Sequence, residues 1–355
     1  MDSQSDFAPR PLDTATALAA HCYVGTESLE RDLRTVFARS WQFVAHVSQL
    51  AGTGDHVVTR VGNLPVIAVR GDDGEIRAFH NVCRHRAGPL AQCDGTGAKT
   101  LRCRYHGWTY TLEGQLRSAP EMKDVQAFDI SEIHLPRLAV RVWQGLVFVA
   151  VDEALAPNFD AYVTGIDDRI GSDRGLEHYG HHHRVGYDID CNWKVYVDNY
   201  LEGYHVPHVH PELNRLLDYR SYRTELSRWH SLQWSPLESS ASLYGNGDAL
   251  YYWLWPSTML NILPGRLQVN RVLPLGPDRC RVEFDTWYAP GIDDEVRRQA
   301  DIDFSDEVQH EDIGICVDVQ RGLASGSYVA GRLNPLRESG VHHFHELLRE
   351  AYRTN

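Results

Sequence analysis

Two short segments, each with one cysteine and one histidine, constrain this chain more than any other feature. Cys83–Arg84–His85 is followed after seventeen residues by Cys103–Arg104–Tyr105–His106. One thiolate and one imidazole from each of two loops make a four-donor set that gathers two separate turns onto one centre. A two-iron, two-sulfide cluster takes this set, with the thiolates on one iron and neutral imidazoles on the other. A structural zinc uses the same residue types. A C-x-H half paired with a C-x-x-H half at this separation departs from zinc-finger spacing, and the iron–sulfur reading is preferred.

A second cluster lies in Asp198–Asn199–Tyr200–Leu201–Glu202–Gly203–Tyr204–His205–Val206–Pro207–His208–Val209–His210. Two imidazoles plus a carboxylate from elsewhere form the facial triad that suits non-haem Fe(II), because it leaves coordination positions open. Alone the window is weak evidence, since the chain has 19 histidines. Paired with an electron-carrying cluster it completes a circuit, and each motif strengthens the other.

The motifs Asn81–Val82–Cys83–Arg84–His85–Arg86–Ala87–Gly88, Arg102–Cys103–Arg104–Tyr105–His106–Gly107–Trp108–Thr109–Tyr110, Asn192–Trp193–Lys194 and Glu311–Asp312–Ile313 accompany the histidine segment. With them the chain resembles the catalytic α subunit of the Rieske non-haem iron oxygenases, from about Leu29 to Leu348. That family includes naphthalene dioxygenase, choline monooxygenase and carnitine monooxygenase. The resemblance implies that Cys83, His85, Cys103 and His106 hold a Rieske 2Fe-2S cluster. It also implies that His205, His210 and Asp312 hold a mononuclear Fe(II). Adjacent helical residues point about 100° apart, so Glu311 is left as a supporting or surface group. His208 is expected to face solvent or support its neighbours.

Glu202 stands where many ring-hydroxylating relatives have Asp, and matches the carnitine monooxygenase branch. The resemblance makes it the carboxylate bridging the two metal sites for electron transfer, across a subunit boundary of a homotrimer. Gly88 and Gly107 are expected to let backbone N–H groups approach the bridging sulfides. Arg84 and Arg86 are read as surface charges, and His181–His182–His183 as a polar strand entrance. No G-x-G-x-x-G follows a strand, so NAD(P)H and flavin are expected only on a separate reductase. O₂ is the implied co-substrate.

Val317–Asp318–Val319–Gln320–Arg321–Gly322–Leu323 and His342–His343–Phe344–His345 resemble the choline, carnitine and glycine-betaine monooxygenase branch. This implies oxidation or N-demethylation of a small quaternary ammonium compound. Aromatic residues Tyr219, Tyr222, Trp229, Trp234, Tyr244, Tyr251, Tyr252, Trp253, Trp255 and Tyr328 are candidates for a cation cage, although most are expected in the sheet core. Two alternatives remain: an aromatic-ring-hydroxylating dioxygenase α subunit, and a Rieske electron-transfer protein whose C-terminal half is only a scaffold.

Composition bounds these readings. A formal charge of −13 argues against nucleic acid or an anionic membrane as partner. No apolar stretch is long enough to span a bilayer. Seven cysteines without a small-domain spacing fit reduced thiols and a cytoplasmic location.

The elements predict an α+β chain. Residues 1–40 are read as a loose tail, to about residue 14, and then a helix capped by Ser28, both belonging with the catalytic domain. Residues 41–152 form an all-β Rieske domain, with turns at Gly62–Asn63, Asp72–Asp73–Gly74, Glu113–Gly114 and Gln144–Gly145. Residues 153–355 form the catalytic domain, which the resemblance makes helix-grip-type, an antiparallel sheet with helices. It opens on an Asp-rich connector. Strands are expected at 182–190, 222–232, 251–254, 267–273 and 280–288, and helices at 193–204, 293–323 and 337–353.

Overall fold

Short strands joined by tight turns build the smaller of the two units into which the chain divides, Ala38–Pro157 with Gly175–His178. A computed structural model describes residues 7–171, 175–217, 219–237 and 244–353. The strands of this unit are β1 (Gln42–His46), β2 (His56–Val61), β3 (Leu64–Arg70), β4 (Ile76–His80), β5 (Leu101–Arg102), β6 (Thr109–Tyr110), β7 (Leu116–Ser118), β8 (Arg137–Trp143) and β9 (Leu146–Ala150). A six-stranded antiparallel sheet runs β1-β9-β8-β4-β3-β2, and a three-stranded one runs β5-β6-β7. All four expected turns join consecutive strands. At one of them Gln144 (φ 50°) and Gly145 (φ 78°) both take the left-handed geometry that a two-residue hairpin turn requires.

Strand β3 is buried on both faces. Val66 and Ala68 join an apolar cluster with Val44, Val57 and Val149, whereas Ile67 and Val69 face Phe79, Leu101 and Tyr110. The second cluster also contains Cys83 and Cys103. The sulfur-bearing turns are thus anchored in the core, which is what holds two loops in fixed register.

The larger unit comprises the remaining described residues. It begins with α1 (Thr26–Thr35), α2 (Phe159–Val163) and α3 (Ile166–Ile170). Its strands are β10 (Gly180–Ile189), β11 (Arg223–Leu226), β12 (His230–Pro236), β13 (Asp248–Leu254), β14 (Thr258–Leu263), β15 (Arg266–Gly276) and β16 (Arg279–Tyr288). They form one antiparallel sheet in the order β10-β16-β15-β14-β13-β12-β11. Between β10 and β11 lie α4 (Trp193–Tyr200), α5 (Val206–Val209) and α6 (Pro211–Leu216); after the sheet come α7 (Glu295–Ala324) and α8 (Ser339–Arg353). Asp294 caps α7, its carboxylate accepting from the Val296 and Arg297 N–H groups. Helix α8 buries Val341, Phe344, Leu347 and Leu348 along one face; burying each contributes roughly 2 kcal/mol. Among the described residues no helix is long and apolar enough to cross a membrane.

Four expectations are corrected. Helix α1 starts after Gly25, and Ser28 is not its cap but a buried first-turn residue whose Oγ donates to the Cys22 carbonyl at 2.5 Å. Residues 1–6 lie outside the described residues, but 7–14 are not a loose tail. Phe7 is buried edge-on against Tyr352, and the Arg10 N–H donates to Glu346. The strand expected at 222–232 is two strands, β11 and β12, because Ser227 N–H turns back onto the His230 carbonyl. The helix expected at 193–204 stops at Tyr200: the Glu202 carboxylate takes the N–H groups of Tyr204 and His205, and the Tyr222 ring crowds Gly203.

One buried network ties the helices together. Asp32 on α1 accepts from Trp193 Nε1 (2.8 Å), Tyr352 OH (2.5 Å) and Lys194 Nζ. Asp32 and Lys194 are fully buried.

Candidate active site

The sequence His205–Val206–Pro207–His208–Val209–His210–Pro211 folds as two short helical turns, each with a proline in its first two positions, where no backbone donor is lost. This brings the rings of His205 and His210 to 5.0 Å between centroids, nearly perpendicular. From α7, Asp312 Oδ1 lies 3.0 Å from His210 Nε2 and 3.7 Å from His205 Nε2. One donor atom from each of the three residues falls within 4.8 Å of the others.

Each donor is held from behind. Glu202 Oε1 lies 2.6 Å from His205 Nδ1, Glu311 Oε2 lies 2.6 Å from His210 Nδ1, and Asn199 Nδ2 donates to Asp312 Oδ1 at 2.6 Å. Carboxylates behind imidazoles fix the tautomer that leaves Nε2 free to ligate. Burial alone would lower the pKa of His210, but Asp312 and then Glu311 turn the shift upward. Two imidazole nitrogens and a carboxylate facing one point are the donor set that Fe(II) takes. His208 is exposed, as its solvent-facing reading expected. His181 lies on β10 with Nε2 3.1 Å from Asp285 Oδ1, so the three-histidine run is part of a polar strand.

The three donors line one end of a cavity of about 130 Å³. Its floor is the sheet, where Gln233, Tyr251, Asn261 and Gln268 stand in register across β12 to β15. Its wall is α7, whose Phe304, Ser305, Val308 and Asp312 recur at helical spacing. Of the aromatic candidates, Tyr222, Tyr244 and Tyr251 line this cavity, whereas Tyr252, Trp253 and Trp255 are buried elsewhere in the core. Tyr200, Phe284 and Arg266, which also line it, were not singled out from sequence. The signal was present in Arg266–Leu267–Gln268–Val269–Asn270, whose strict polar–apolar alternation marks a strand with a polar inner face.

In the smaller unit the two cysteine turns share one geometry. Cys83 N–H donates to Gly88 O and Ala87 N–H to Cys83 O; Cys103 N–H donates to Trp108 O and Gly107 N–H to Cys103 O. Ala87 (φ 57°) and Gly107 (φ 75°), each four residues after its cysteine, are both left-handed. Gly107 places its own N–H within the turn, and the left-handed backbone explains its glycine. A Cβ on Gly88 would sit 2.9 Å from Cys103 Sγ, so that glycine clears space beside the sulfur.

The His85 and His106 rings lie 4.6 Å apart, and His85 stacks on Trp108 at 4.8 Å. His85 Nδ1 is buried without a hydrogen-bond partner, and Cys83 and Cys103 are free thiols. A buried, unpartnered nitrogen beside two unpaired cysteines fits the donor set of a 2Fe-2S cluster. Arg86 lies over the Tyr105 ring at 5.0 Å.

Residues 40–129 match the Rieske [2Fe-2S] domain, and residues 176–354 match the catalytic domain of the ring hydroxylating alpha subunit. The chain belongs to the Rieske ring-hydroxylating α-subunit family. Its C-terminal half is thus a catalytic domain and not a bare scaffold, and the protein is a Rieske non-haem iron oxygenase. It is 37% identical to chloroplastic choline monooxygenase of Arabidopsis thaliana, over 97% of this chain and 85% of that one. It is 30% identical to the carnitine monooxygenase oxygenase subunit of Escherichia coli (strain K12), over 98% and 96%. A solved quaternary ammonium Rieske monooxygenase, described with carnitine oxidation and inter-subunit electron transfer, matches with a TM-score of 0.89 at 26% identity, covering 97% of this chain and 99% of that one. The α+β fold of this oxygenase is that of its relatives.

Proposed function

We propose that this oxygenase is the terminal component of a two-component monooxygenase that oxidises or N-demethylates a small quaternary ammonium compound. The observation that carries this reading is the convergence of His205, His210 and Asp312 at one end of a cavity lined by tyrosines. Tyrosine faces attract a quaternary ammonium through cation–π contact, and the relatives named above act on choline and carnitine.

In this reading Cys83, His85, Cys103 and His106 hold the Rieske cluster, and His205, His210 and Asp312 hold Fe(II). Iron at that site would supply the activation of O₂. Glu202 and Glu311 keep the two imidazoles oriented, and Asn199 fixes the Asp312 carboxylate. Glu202 also serves as the bridge by which an electron from a neighbouring subunit's cluster reaches His205, which makes a homotrimer the working assembly. A separate flavin reductase supplies the electrons from NAD(P)H. Per turnover a substrate C–H bond gains one oxygen atom, the other leaves as water, and two electrons and two protons are consumed. A hydroxylated N-methyl group then collapses to the amine and formaldehyde. The compartment we propose is the reducing cytoplasm, which suits the five cysteines left free beside the two cluster ligands.

The test is to reduce the purified protein, admit O₂, and analyse products by mass spectrometry. The panel holds choline, carnitine, glycine betaine, a proline betaine and two simple arenes. Oxidation or demethylation of an ammonium compound is the expected result. A phenol or diol from an arene would overturn it in favour of ring hydroxylation.

A further inference from the structure

Three cysteines that the iron and cluster sites do not use meet in the core of the larger unit. Cys191 lies between β10 and α4, Cys280 on β16 and Cys316 on α7. All three are buried free thiols. Cys191 Sγ lies 3.8 Å from Cys280 Sγ, and it also accepts the S–H of Cys316. Hydrogen bonds from Cys280 and then Cys316 pull the Cys191 thiol below its ordinary range, against its burial. Cys280 and Cys316 are pushed up, by the Cys191 sulfur and then by burial. The trio is one thiolate held between two thiols. A proton moved along either hydrogen bond passes the thiolate, which is the nucleophilic form, to a neighbour.

One member of the trio reaches open space. Cys316 lines a second cavity, of about 460 Å³, and Asn199, Glu202 and His205 line both this cavity and the one at the iron ligands. Cys316 also follows Asp312 by four residues on α7, so the two project from one face a single turn apart. A small neutral molecule formed at His205, His210 and Asp312 therefore has only these shared side chains to pass before it meets the Cys316 sulfur.

Cys22 and Cys93 show what the trio adds. Cys22 is just as buried, but its largest influence is that burial, and its pKa rises to about 11. Cys93 is exposed. Neither has a sulfur partner among the described residues. A thiol without a second thiol in reach has no way to stop at the disulfide, and further oxidation takes it to the irreversible acids.

We propose that Cys316, Cys191 and Cys280 form a thiol relay that reacts with hydrogen peroxide and ends as a Cys191–Cys280 disulfide. Peroxide is what O₂ becomes with two electrons and two protons when no substrate C–H bond is oxidised. Cys316, as the thiolate, attacks one peroxide oxygen. The S–O bond forms, the O–O bond breaks, and the departing hydroxide takes the Cys191 proton as water. The Cys191 thiolate then attacks the sulfenic sulfur, and the second hydroxide leaves as water with the Cys280 proton. Cys280 finally displaces Cys316 from Cys191 by thiol–disulfide exchange. Peroxide has gained two electrons and become two waters, two thiols have become one disulfide, and Cys316 is a thiolate again. The relay does not depend on which substrate the cavity takes.

The experiment adds hydrogen peroxide in small excess to the oxygenase carrying its cluster and iron. The protein is then denatured in iodoacetamide, digested without reductant and mapped by mass spectrometry. The expected product is the Cys191 peptide joined to the Cys280 peptide, lighter by two hydrogens than its parts and separated again by dithiothreitol. Cys22 is expected to be recovered as the alkylated thiol, and Cys93 to report that the reagent acted. In Cys316→Ala the Cys191–Cys280 disulfide is expected to be lost, although both of its sulfurs remain. Alkylated Cys191 and Cys280 in wild-type protein whose Cys93 is oxidised overturn the proposal. A sulfinic acid at Cys316 with no disulfide overturns it too, because Cys191 then fails to intercept the sulfenic acid. An undiminished disulfide in Cys316→Ala overturns the relay by removing its point of entry. The wild-type map needs no variant, so a folding defect in Cys316→Ala does not remove the test.

Discussion

Glu311 Oε2 lies 2.6 Å from His210 Nδ1, on the opposite side of the ring from Asp312. Neighbouring carboxylates of one helix therefore grip the two nitrogens of one imidazole. Replacing Glu311 with Gln keeps the shape but weakens the orienting acceptor. Iron retention at the mononuclear site is expected to fall about 10- to 100-fold, read by iron assay after dialysis against a chelator. The visible spectrum of the cluster should be unchanged. Asp312→Ala, by contrast, should abolish both iron retention there and turnover while the red-brown cluster stays.

Glu202→Gln weakens the acceptor behind His205 Nδ1 as Glu311→Gln does behind His210, so it is compared after reconstitution with Fe(II) until both metal sites are loaded. In a single turnover the reduced cluster is expected to reoxidise at least about tenfold more slowly. Stopped-flow absorbance checks this. An unchanged rate would mean that electrons bypass Glu202.

The buried pair of Asp32 and Lys194 gives a stability prediction. Asp32→Ala leaves the Lys194 ammonium buried without its counterion and removes the acceptor for Trp193 and Tyr352. A loss of about 3–5 kcal/mol is expected, measured by urea denaturation. The double change Asp32→Leu with Lys194→Met, which removes both charges, should recover most of it.

His343 on α8 gives a pH prediction. Burial pushes its pKa down to about 4, against about 6.5 in an unfolded chain. Between those values the unfolded state binds the proton and the folded state does not. The contribution is therefore fully present above about pH 6.5 and is lost as pH falls toward 4, about 3 kcal/mol in all. His343→Phe should flatten that part of the stability curve relative to the wild type.

What was legible in the sequence was what is local. His205 and His210, or Cys83 and His85, lie within one turn of chain, so their spacing already states their geometry. The hairpin turns were equally legible, because Gln144–Gly145 and Asp72–Asp73–Gly74 carry their backbone conformation in their composition. Asp312 was reachable only through family resemblance, since a hundred residues separate it from His210. Glu311 was left undecided for a related reason. The 100° rule says which neighbour faces the metal, not what a longer side chain reaches on its other flank. Arg266 was missed because a cavity wall is made by sheet register, and which strand lies beside which is not written in any one of them. The end of α4 was misjudged likewise: nothing within 193–204 announces that a ring from Tyr222 will crowd Gly203.

Helix α7 carries both Ser305 and Asp312 along the cavity wall, and this limits how such a pocket can diverge. A single wall residue can change without moving either of them. The distance between them cannot, because each added residue advances the helix by about 1.5 Å and swings the next side chain by about 100°. Only insertions or deletions of about a full turn return both side chains to the same face. In this scaffold the length of molecule accommodated should change in discrete steps, whereas the preference among molecules of one length can drift continuously.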